Sequence, residues 1–80
     1  MIYVYLLCSV NFPHKSYVGI TNDLKRRFAV YNSGGSVHTA RYKPWEIIVY
    51  IGFNEEDKAR KFEKYLKSHS GRVFMKKHFW

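Results

Sequence analysis

Cysteine is nearly absent from this sequence. The 80 residues include only Cys8, so no disulfide can form within the chain and packing must hold the fold together. Cys8 lies in an apolar stretch, where a cysteine usually behaves as a small buried hydrophobic residue. This cysteine usage is typical of proteins from reducing compartments, and we expect a cytoplasmic location.

Long apolar runs are also missing. A membrane-spanning helix needs about 20 consecutive, mostly apolar residues. The chain starts with a mostly apolar stretch, but polar residues and a proline follow at positions 11–15. We therefore expect a strand and a turn there, and neither a signal peptide nor a membrane span. No long basic amphipathic helix with a broad apolar face is evident, which argues against a membrane surface as partner.

Acidic residues are scarce as well. Six Asp and Glu stand against 14 Lys and Arg, which gives a formal net charge of +8. So large an excess of positive charge in a small chain favours a polyanionic partner, and nucleic acid in particular. We expect DNA, with RNA as an open alternative, and no small-molecule cofactor. The simpler alternative is that the charge only keeps the protein soluble.

Aromatic residues, in contrast, are abundant and make up 19% of the chain. Because a few large side chains can fill a small core, we expect one domain that covers residues 1–80. The apolar pattern predicts an α/β fold with a three-stranded, mainly antiparallel sheet flanked by helices, in the order β-β-α-β-α-α. The predicted strands cover residues 2–8, 16–20 and 45–53, and the predicted helices cover about 23–31, 54–67 and 72–78.

The same patterns give further predictions about single elements of the fold. The third strand is an almost continuous apolar run, which predicts burial on both of its faces. Residues 37–43 are polar and basic and are predicted to form a surface loop. Asn54, with Asp57 three residues later, resembles a capping box at the start of the second helix. Phe79 and Trp80 are expected to pack back onto the domain.

The segment from Tyr17 to Tyr31 organises the rest of the chain. It opens as a strand around Gly19, passes helix-capping side chains at 21–23 and continues with apolar residues at helical spacing. Arg27 falls on the apolar stripe of this helix, because residues three and four apart share a face. A guanidinium is seldom fully buried without an anionic partner, so Arg27 could line a cleft that receives an anion. The alternative is that it snorkels to solvent.

Glu63 stands out in the same way on the second helix. It lies on the apolar stripe and is the only acidic residue after Asp57. A carboxylate that faces inward among cations is either an ion-pair partner or a metal ligand. The pattern alone favours the ion pair.

Two short motifs give the chain a family resemblance. Tyr17-Val18-Gly19, followed eight residues later by Arg27, resembles the second half of the GIY-YIG nuclease signature. Tyr3-Val4-Tyr5 resembles the first half, with tyrosine where the family's glycine often stands. The resemblance covers nearly the whole chain and is strongest to small stand-alone members related to the N-terminal nuclease domain of the excision-repair nuclease. It implies a metal-dependent endonuclease that hydrolyses DNA with low sequence specificity, in repair or recombination.

The resemblance also implies a set of site residues that converge over one face of the sheet. It makes Glu63 the ligand of Mg²⁺ or Mn²⁺, and it implies four catalytic residues: Tyr5, Tyr17, Arg27 and Tyr31. Arg27 would hold the scissile phosphate, for which its planar fork is suited. Which tyrosine is the general base is left open, because a free phenol has a pKa near 10 and needs cations to lower it. Ile20 stands where the excision-repair branch tends to carry lysine, so one phosphate contact is missing.

Cations elsewhere complete the expected DNA interface. The predicted contacts with nucleic acid are Lys25, Arg26, Arg41, Lys43 and Lys67. Two other functions are compatible with the same residues. The first is a non-catalytic module that binds nucleic acid through its basic face. The second is a component of a larger nuclease complex, in which Phe79 and Trp80 would be buried in a partner protein.

Overall fold

The computed structural model describes all residues 1–80 and contains three strands and four helices. In chain order these are β1 (Ile2–Ser9), β2 (Ser16–Thr21), α1 (Leu24–Ser33), α2 (Val37–Ala40), β3 (Trp45–Phe53), α3 (Glu56–Leu66) and α4 (His69–His78). The predicted fold class and the antiparallel sheet are confirmed. The short helix α2 is an addition, since its residues were predicted as a loop.

The sheet has the order β2-β1-β3, and both pairings are antiparallel. Tyr5, on the central strand, lies opposite Gly19 of β2 and Tyr50 of β3. The prediction that β3 is buried on both faces is wrong. It is an edge strand whose residues alternate between more and less buried, and Ile48 and Tyr50 are exposed. The continuous apolar run of β3 therefore does not indicate burial on both faces of this strand.

The two faces of the sheet carry two separate cores. The aliphatic core consists of Val4, Leu6, Ala59, Leu66 and Met75, and it packs α3 and α4 against one face. The tyrosine core consists of Tyr5, Leu7, Tyr31 and Trp45, and it packs α1 against the other face. Because side chains alternate along a strand, consecutive residues of β1 serve opposite cores.

Helix α1 has the predicted cap at its start and the predicted glycine after its end, although it extends to Ser33 and not only to Tyr31. The Asp23 side chain caps its first turn by accepting a hydrogen bond from the backbone N–H of Arg26 at 3.1 Å. Gly34 follows its last turn with φ of 81°, a left-handed conformation that favours glycine. These two ends hold Arg27 and Tyr31 in one regular helix.

The ends of α3 and α4 differ from the prediction. Glu55, not Asn54, takes the N-cap position of α3, and it makes no side-chain capping bond. Helix α4 starts at His69, because Ser68 caps it by accepting a hydrogen bond from the N–H of Gly71 at 3.2 Å. Gly71 lies in the first turn of this helix. A larger residue would not fit there, because a Cβ would collide with the backbone of α3 at Tyr65.

The last two residues differ in burial. Phe79 packs against the aliphatic core, as expected, whereas 49% of Trp80 is exposed. None of the helices combines the length and the apolar character that crossing a bilayer would require.

Candidate active site

Three tyrosines from three elements form the centre of the site. The hydroxyls of Tyr5 on β1 and Tyr31 on α1 are 3.2 Å apart, within hydrogen-bond distance. The ring of Tyr17 on β2 packs against that of Tyr31, with 5.4 Å between centroids. Tyr5 and Tyr31 are almost fully buried, whereas 40% of Tyr17 is exposed. The structure thus brings together three of the predicted catalytic residues.

Gly19 explains how Tyr5 reaches this position. The two residues are direct partners across the sheet, so their side chains would lie on the same face. A Cβ at residue 19 would collide with the hydroxyl end of the Tyr5 ring. The side chain of Tyr5 therefore reaches over Gly19, so its hydroxyl lies above the outer strand β2. Glycine is needed here for close approach rather than for backbone freedom.

Arg27 lies at the surface of the tyrosine cluster. Its guanidinium carbon is 5.3 Å from the centroid of the Tyr31 ring, a cation–π contact. The pKa of Arg27 is raised. The largest cause is the hydroxyl of Tyr5, which acts as a hydrogen-bond acceptor beside the guanidinium. The side chain is exposed and lines an open cavity of about 280 Å³ together with Arg26. Arg27 is therefore a permanent cation that solvent and anions can reach.

Tyr31 is held in its neutral form. Burial raises the pKa of its phenol first, and the hydrogen bond to Tyr5 raises it further, with the nearby Tyr17 adding to the effect. Burial disfavours a phenolate because the charge loses its hydration. In this arrangement Tyr31 can donate or accept hydrogen bonds, but it is unsuited to act as a base near neutral pH.

Glu63 is the one shielded acid among the ion pairs of α3. Its carboxylate lies 2.8 Å from the Lys67 ammonium, and its side chain is 20% exposed. Glu55 and Glu56, which pair with Lys58 and Arg60, have side chains that are 64% and 58% exposed. The ion pair that the pattern favoured for Glu63 is present, and its partner is one helical turn away.

Lys67 connects this ion pair with the tyrosines. The hydrogen bond to Glu63 is the main cause that raises the pKa of Lys67, against the opposing effect of burial. The phenols of Tyr17 and Tyr5 also contribute, so they lie within electrostatic reach of the ammonium. The expectation that the whole site lies over one face of the sheet is wrong. Helices α1 and α3 cover opposite faces, and Lys67 at the end of α3 lines an open cavity together with Tyr17 of the outer strand β2.

The acidic side chains limit how a divalent cation could be held. No group of three or more His, Cys, Asp or Glu side chains comes together in residues 1–80. Glu63 is the predicted ligand, and one of its carboxylate oxygens contacts Lys67. Mg²⁺ commonly binds through one or two carboxylates and completes its shell with water and substrate phosphate. The site fits such a weakly anchored cation and does not fit a closed structural metal site.

The predicted nucleic-acid contacts fall into two groups. Four of them are exposed and stay predictions: Lys25 and Arg26 on α1, and Arg41 and Lys43 between α2 and β3. Lys67 stays a prediction too, but its ammonium is engaged by Glu63. The spacing of four residues on one helix is the signal that could have predicted this pairing.

One structural residue of the site had no signal in the sequence. The Asn32 side chain accepts a hydrogen bond from the Trp45 N–H at 2.6 Å and donates one to the Trp45 carbonyl at 3.2 Å. This pair of bonds fixes the end of α1 against β3, directly beside Tyr31. The two residues are 13 positions apart, so no helical or strand period links them.

Comparisons with known proteins identify several similar sequences. A structure-specific endonuclease subunit SLX1 homolog from Giardia intestinalis is 38% identical over 55 residues, which are 64% of this chain and 15% of the relative. Structure-specific endonuclease subunit SLX1 from Candida dubliniensis is 35% identical over 71 residues, 80% of this chain and 25% of the relative. A UPF0213 protein from Streptococcus pneumoniae is 38% identical over 52 residues, 64% of this chain and 52% of the relative.

The chain spans only 15% to 52% of the length of these relatives. The family described as the GIY-YIG catalytic domain, however, matches residues 1–78, which is nearly the whole sequence. The tyrosine, glycine and arginine positions that suggested the resemblance are also the ones that meet in space. This protein belongs to the GIY-YIG family.

Proposed function

We propose that this protein is an endonuclease that hydrolyses phosphodiester bonds of DNA with the help of Mg²⁺ or Mn²⁺. One observation carries the proposal: Arg27 lies against Tyr31, Tyr31 packs on Tyr17, and Tyr17 lines one open cavity with Lys67, the ion-pair partner of Glu63. Hydrolysis needs a bound phosphate, a base for water and stabilised oxygens, and these residues can supply each of them. The names of the relatives support an endonuclease, and the net charge of +8 favours a nucleic acid as its substrate.

In this mechanism Arg27 binds the scissile phosphate through its non-bridging oxygens. A water molecule attacks the phosphorus, a new P–O bond forms, and the P–O bond to the leaving oxygen breaks. The attacking water gives its proton to the base, and the leaving oxygen takes one from solvent. Arg27 also neutralises charge that builds up on the phosphate oxygens in the transition state.

Among the three phenols we assign the base to Tyr17. Tyr31 is kept neutral by burial, and Tyr5 lies beneath the other residues of the cluster. Tyr17 is the exposed one, so an attacking water can reach its hydroxyl. Tyr17 also lines one open cavity together with Lys67, the ion-pair partner of Glu63, so its hydroxyl faces the side of the site where the metal would lie.

Glu63 would hold the divalent cation, with water and substrate phosphate as the remaining ligands. When bound, such a cation lowers the pKa of water and stabilises phosphate oxygens. Lys25, Arg26, Arg41 and Lys43 would bind the DNA backbone, which positions the duplex without reading its sequence. Low sequence specificity follows, and a role in repair or recombination is part of the proposal.

Partner proteins belong to the proposal as well. Two of the relatives are named as subunits, and the chain spans only a small part of each. Trp80 is half exposed at the end of the chain and offers an apolar contact for a partner.

Plasmid nicking tests the proposal. Purified protein with Mg²⁺ or Mn²⁺ should convert supercoiled DNA to the open circle. Arg27→Ala and Glu63→Gln should each slow nicking by about 100-fold or more, since each removes transition-state stabilisation. The controls Arg60→Ala and Glu56→Gln remove an exposed ion pair from α3 and should leave the rate unchanged.

Two results would contradict the proposal. The first is nicking at the wild-type rate in both Arg27→Ala and Glu63→Gln with the fold retained. The second is salt-dependent DNA binding without cleavage in either metal, which would favour the non-catalytic binding module.

A further inference from the structure

Lys67 was expected to bind DNA, but it lies against the acid that the family resemblance assigns to the metal. Its ammonium is 2.8 Å from Oε2 of Glu63. The side chain of Lys67 is itself 52% exposed, so it can leave this position without breaking a buried contact. No other cation forms an ion pair with Glu63.

The Glu63 side chain is more shielded from solvent than the acids of the other two ion pairs, so its charge depends more on its partner. A carboxylate that is largely removed from water loses hydration and needs a compensating charge. The carboxylates of Glu55 and Glu56 stay mostly in solvent and have no such need. At Glu63 the ammonium supplies the compensation that a divalent cation could also supply.

We propose that Lys67 occupies the Glu63 carboxylate in the metal-free protein and competes with the divalent cation for it. The inference rests on the proposed function in one respect, namely that Glu63 binds the metal. Its consequence is that metal affinity depends on Lys67 as well as on Glu63. The released ammonium would remain beside Tyr17 and Tyr5, where a substrate phosphate can replace its lost carboxylate partner.

The simpler alternative is an ordinary ion pair on a helix surface. Pairs of this kind at a spacing of four residues contribute little to stability and often have no further role. The alternative predicts that Lys67 can be replaced without any effect on metal binding beyond the loss of one positive charge from the helix.

Terbium binding separates the two explanations without relying on activity. Tb³⁺ is titrated into the protein in the absence of DNA, and its luminescence is excited through the tyrosines near Glu63. Lys67→Met is compared with Lys64→Met, which removes the same charge from an exposed position of α3 that forms no ion pair. Competition with Mg²⁺ then gives the affinity for the native type of ion.

We expect Lys67→Met to bind Tb³⁺ roughly two- to fivefold more tightly than Lys64→Met, which is the range that removal of an exposed ion pair allows. Lys67→Arg keeps a cation that can pair with the carboxylate and should stay close to the wild-type affinity. Both results together would support competition at the carboxylate.

Equal affinities of Lys67→Met and Lys64→Met would overturn the inference. Glu63→Gln separates this failure from a failure of the proposed function. If Glu63→Gln abolishes the signal while the two lysine variants agree, Glu63 is the ligand and only the role of Lys67 is wrong. If Glu63→Gln binds Tb³⁺ as the wild type does, Glu63 is not the ligand and both proposals fall.

Discussion

The side chains on the two faces of β1 pack into two cores of different composition. Leu6 and Leu7 are neighbours and both are almost fully buried, yet Leu6 belongs to the aliphatic core and Leu7 to the tyrosine core. The aliphatic core contains no side chain that titrates or donates a hydrogen bond. The tyrosine core contains two phenols and an indole, each of which must find a polar partner when buried.

Hydrogen bonds to these polar groups fix the positions of the side chains in the tyrosine core. The hydroxyls of Tyr5 and Tyr31 satisfy each other, and the Trp45 indole N–H donates to the carbonyl of Thr39 at 3.0 Å. The aliphatic core can tolerate small shifts, because its contacts are nondirectional. The tyrosine core cannot, because hydrogen bonds weaken steeply when distance and angle change. The comparison predicts that equal damage to the two cores has unequal effects on function.

The largest effect should come from truncating the two leucines. Leu6→Ala and Leu7→Ala should each lower the free energy of unfolding by about 2–5 kcal/mol, since each leaves a cavity in a packed core. Urea denaturation measures this loss. Among molecules that remain folded, Leu7→Ala should nick DNA more slowly, whereas Leu6→Ala should match the wild type. Equal nicking rates in the two folded variants would show that the cores do not differ in this way.

A smaller effect is expected from adding one carbon beneath Tyr5. Gly19→Ala should push the Tyr5 ring away from β2 and slow nicking by about 10- to 100-fold, or about 1.4–2.7 kcal/mol in the barrier. Gly52→Ala is the matched control, because its Cβ would meet mainly the flexible side chain of Met1. If both variants nick at the same rate, the close approach of Tyr5 and Gly19 has no role in catalysis.

The smallest effect concerns the phenol of Tyr31 and depends on pH. Tyr31→Phe should lower the free energy of unfolding by about 1 kcal/mol at pH 8, through the lost hydrogen bond to Tyr5. The raised pKa of Tyr31 means that the unfolded chain ionises first as pH rises. The wild type should therefore lose about 0.8 kcal/mol by about pH 10.5, and the phenylalanine variant should not.

Urea unfolding at both pH values measures this difference. The gap between wild type and Tyr31→Phe should narrow at the higher pH. Tyr50→Phe serves as the control, since Tyr50 is exposed and makes no hydrogen bond that its replacement would remove. A gap that stays constant or widens with pH would contradict the neutral, buried state of Tyr31.

Local patterns predicted much of this structure. The capping aspartate, the glycine at the end of α1 and the alternation along β1 each depend on neighbouring residues, and all are present. The predictions failed where a distant element decides. The edge position of β3 depends on which strand lies at the centre of the sheet. The early start of α4 is an exception, since the Ser68 cap that sets it is a local signal.

Which residues share a face follows from the sequence alone, because helical and strand periods are properties of the local backbone. These periods put Arg27 and Glu63 on the apolar stripes of their helices and set Lys67 one turn after Glu63. The packing of Tyr17 on Tyr31, and the cavity that Tyr17 shares with Lys67, come from the tertiary structure. Both depend on helices that cover opposite faces of a narrow sheet, which no local spacing predicts.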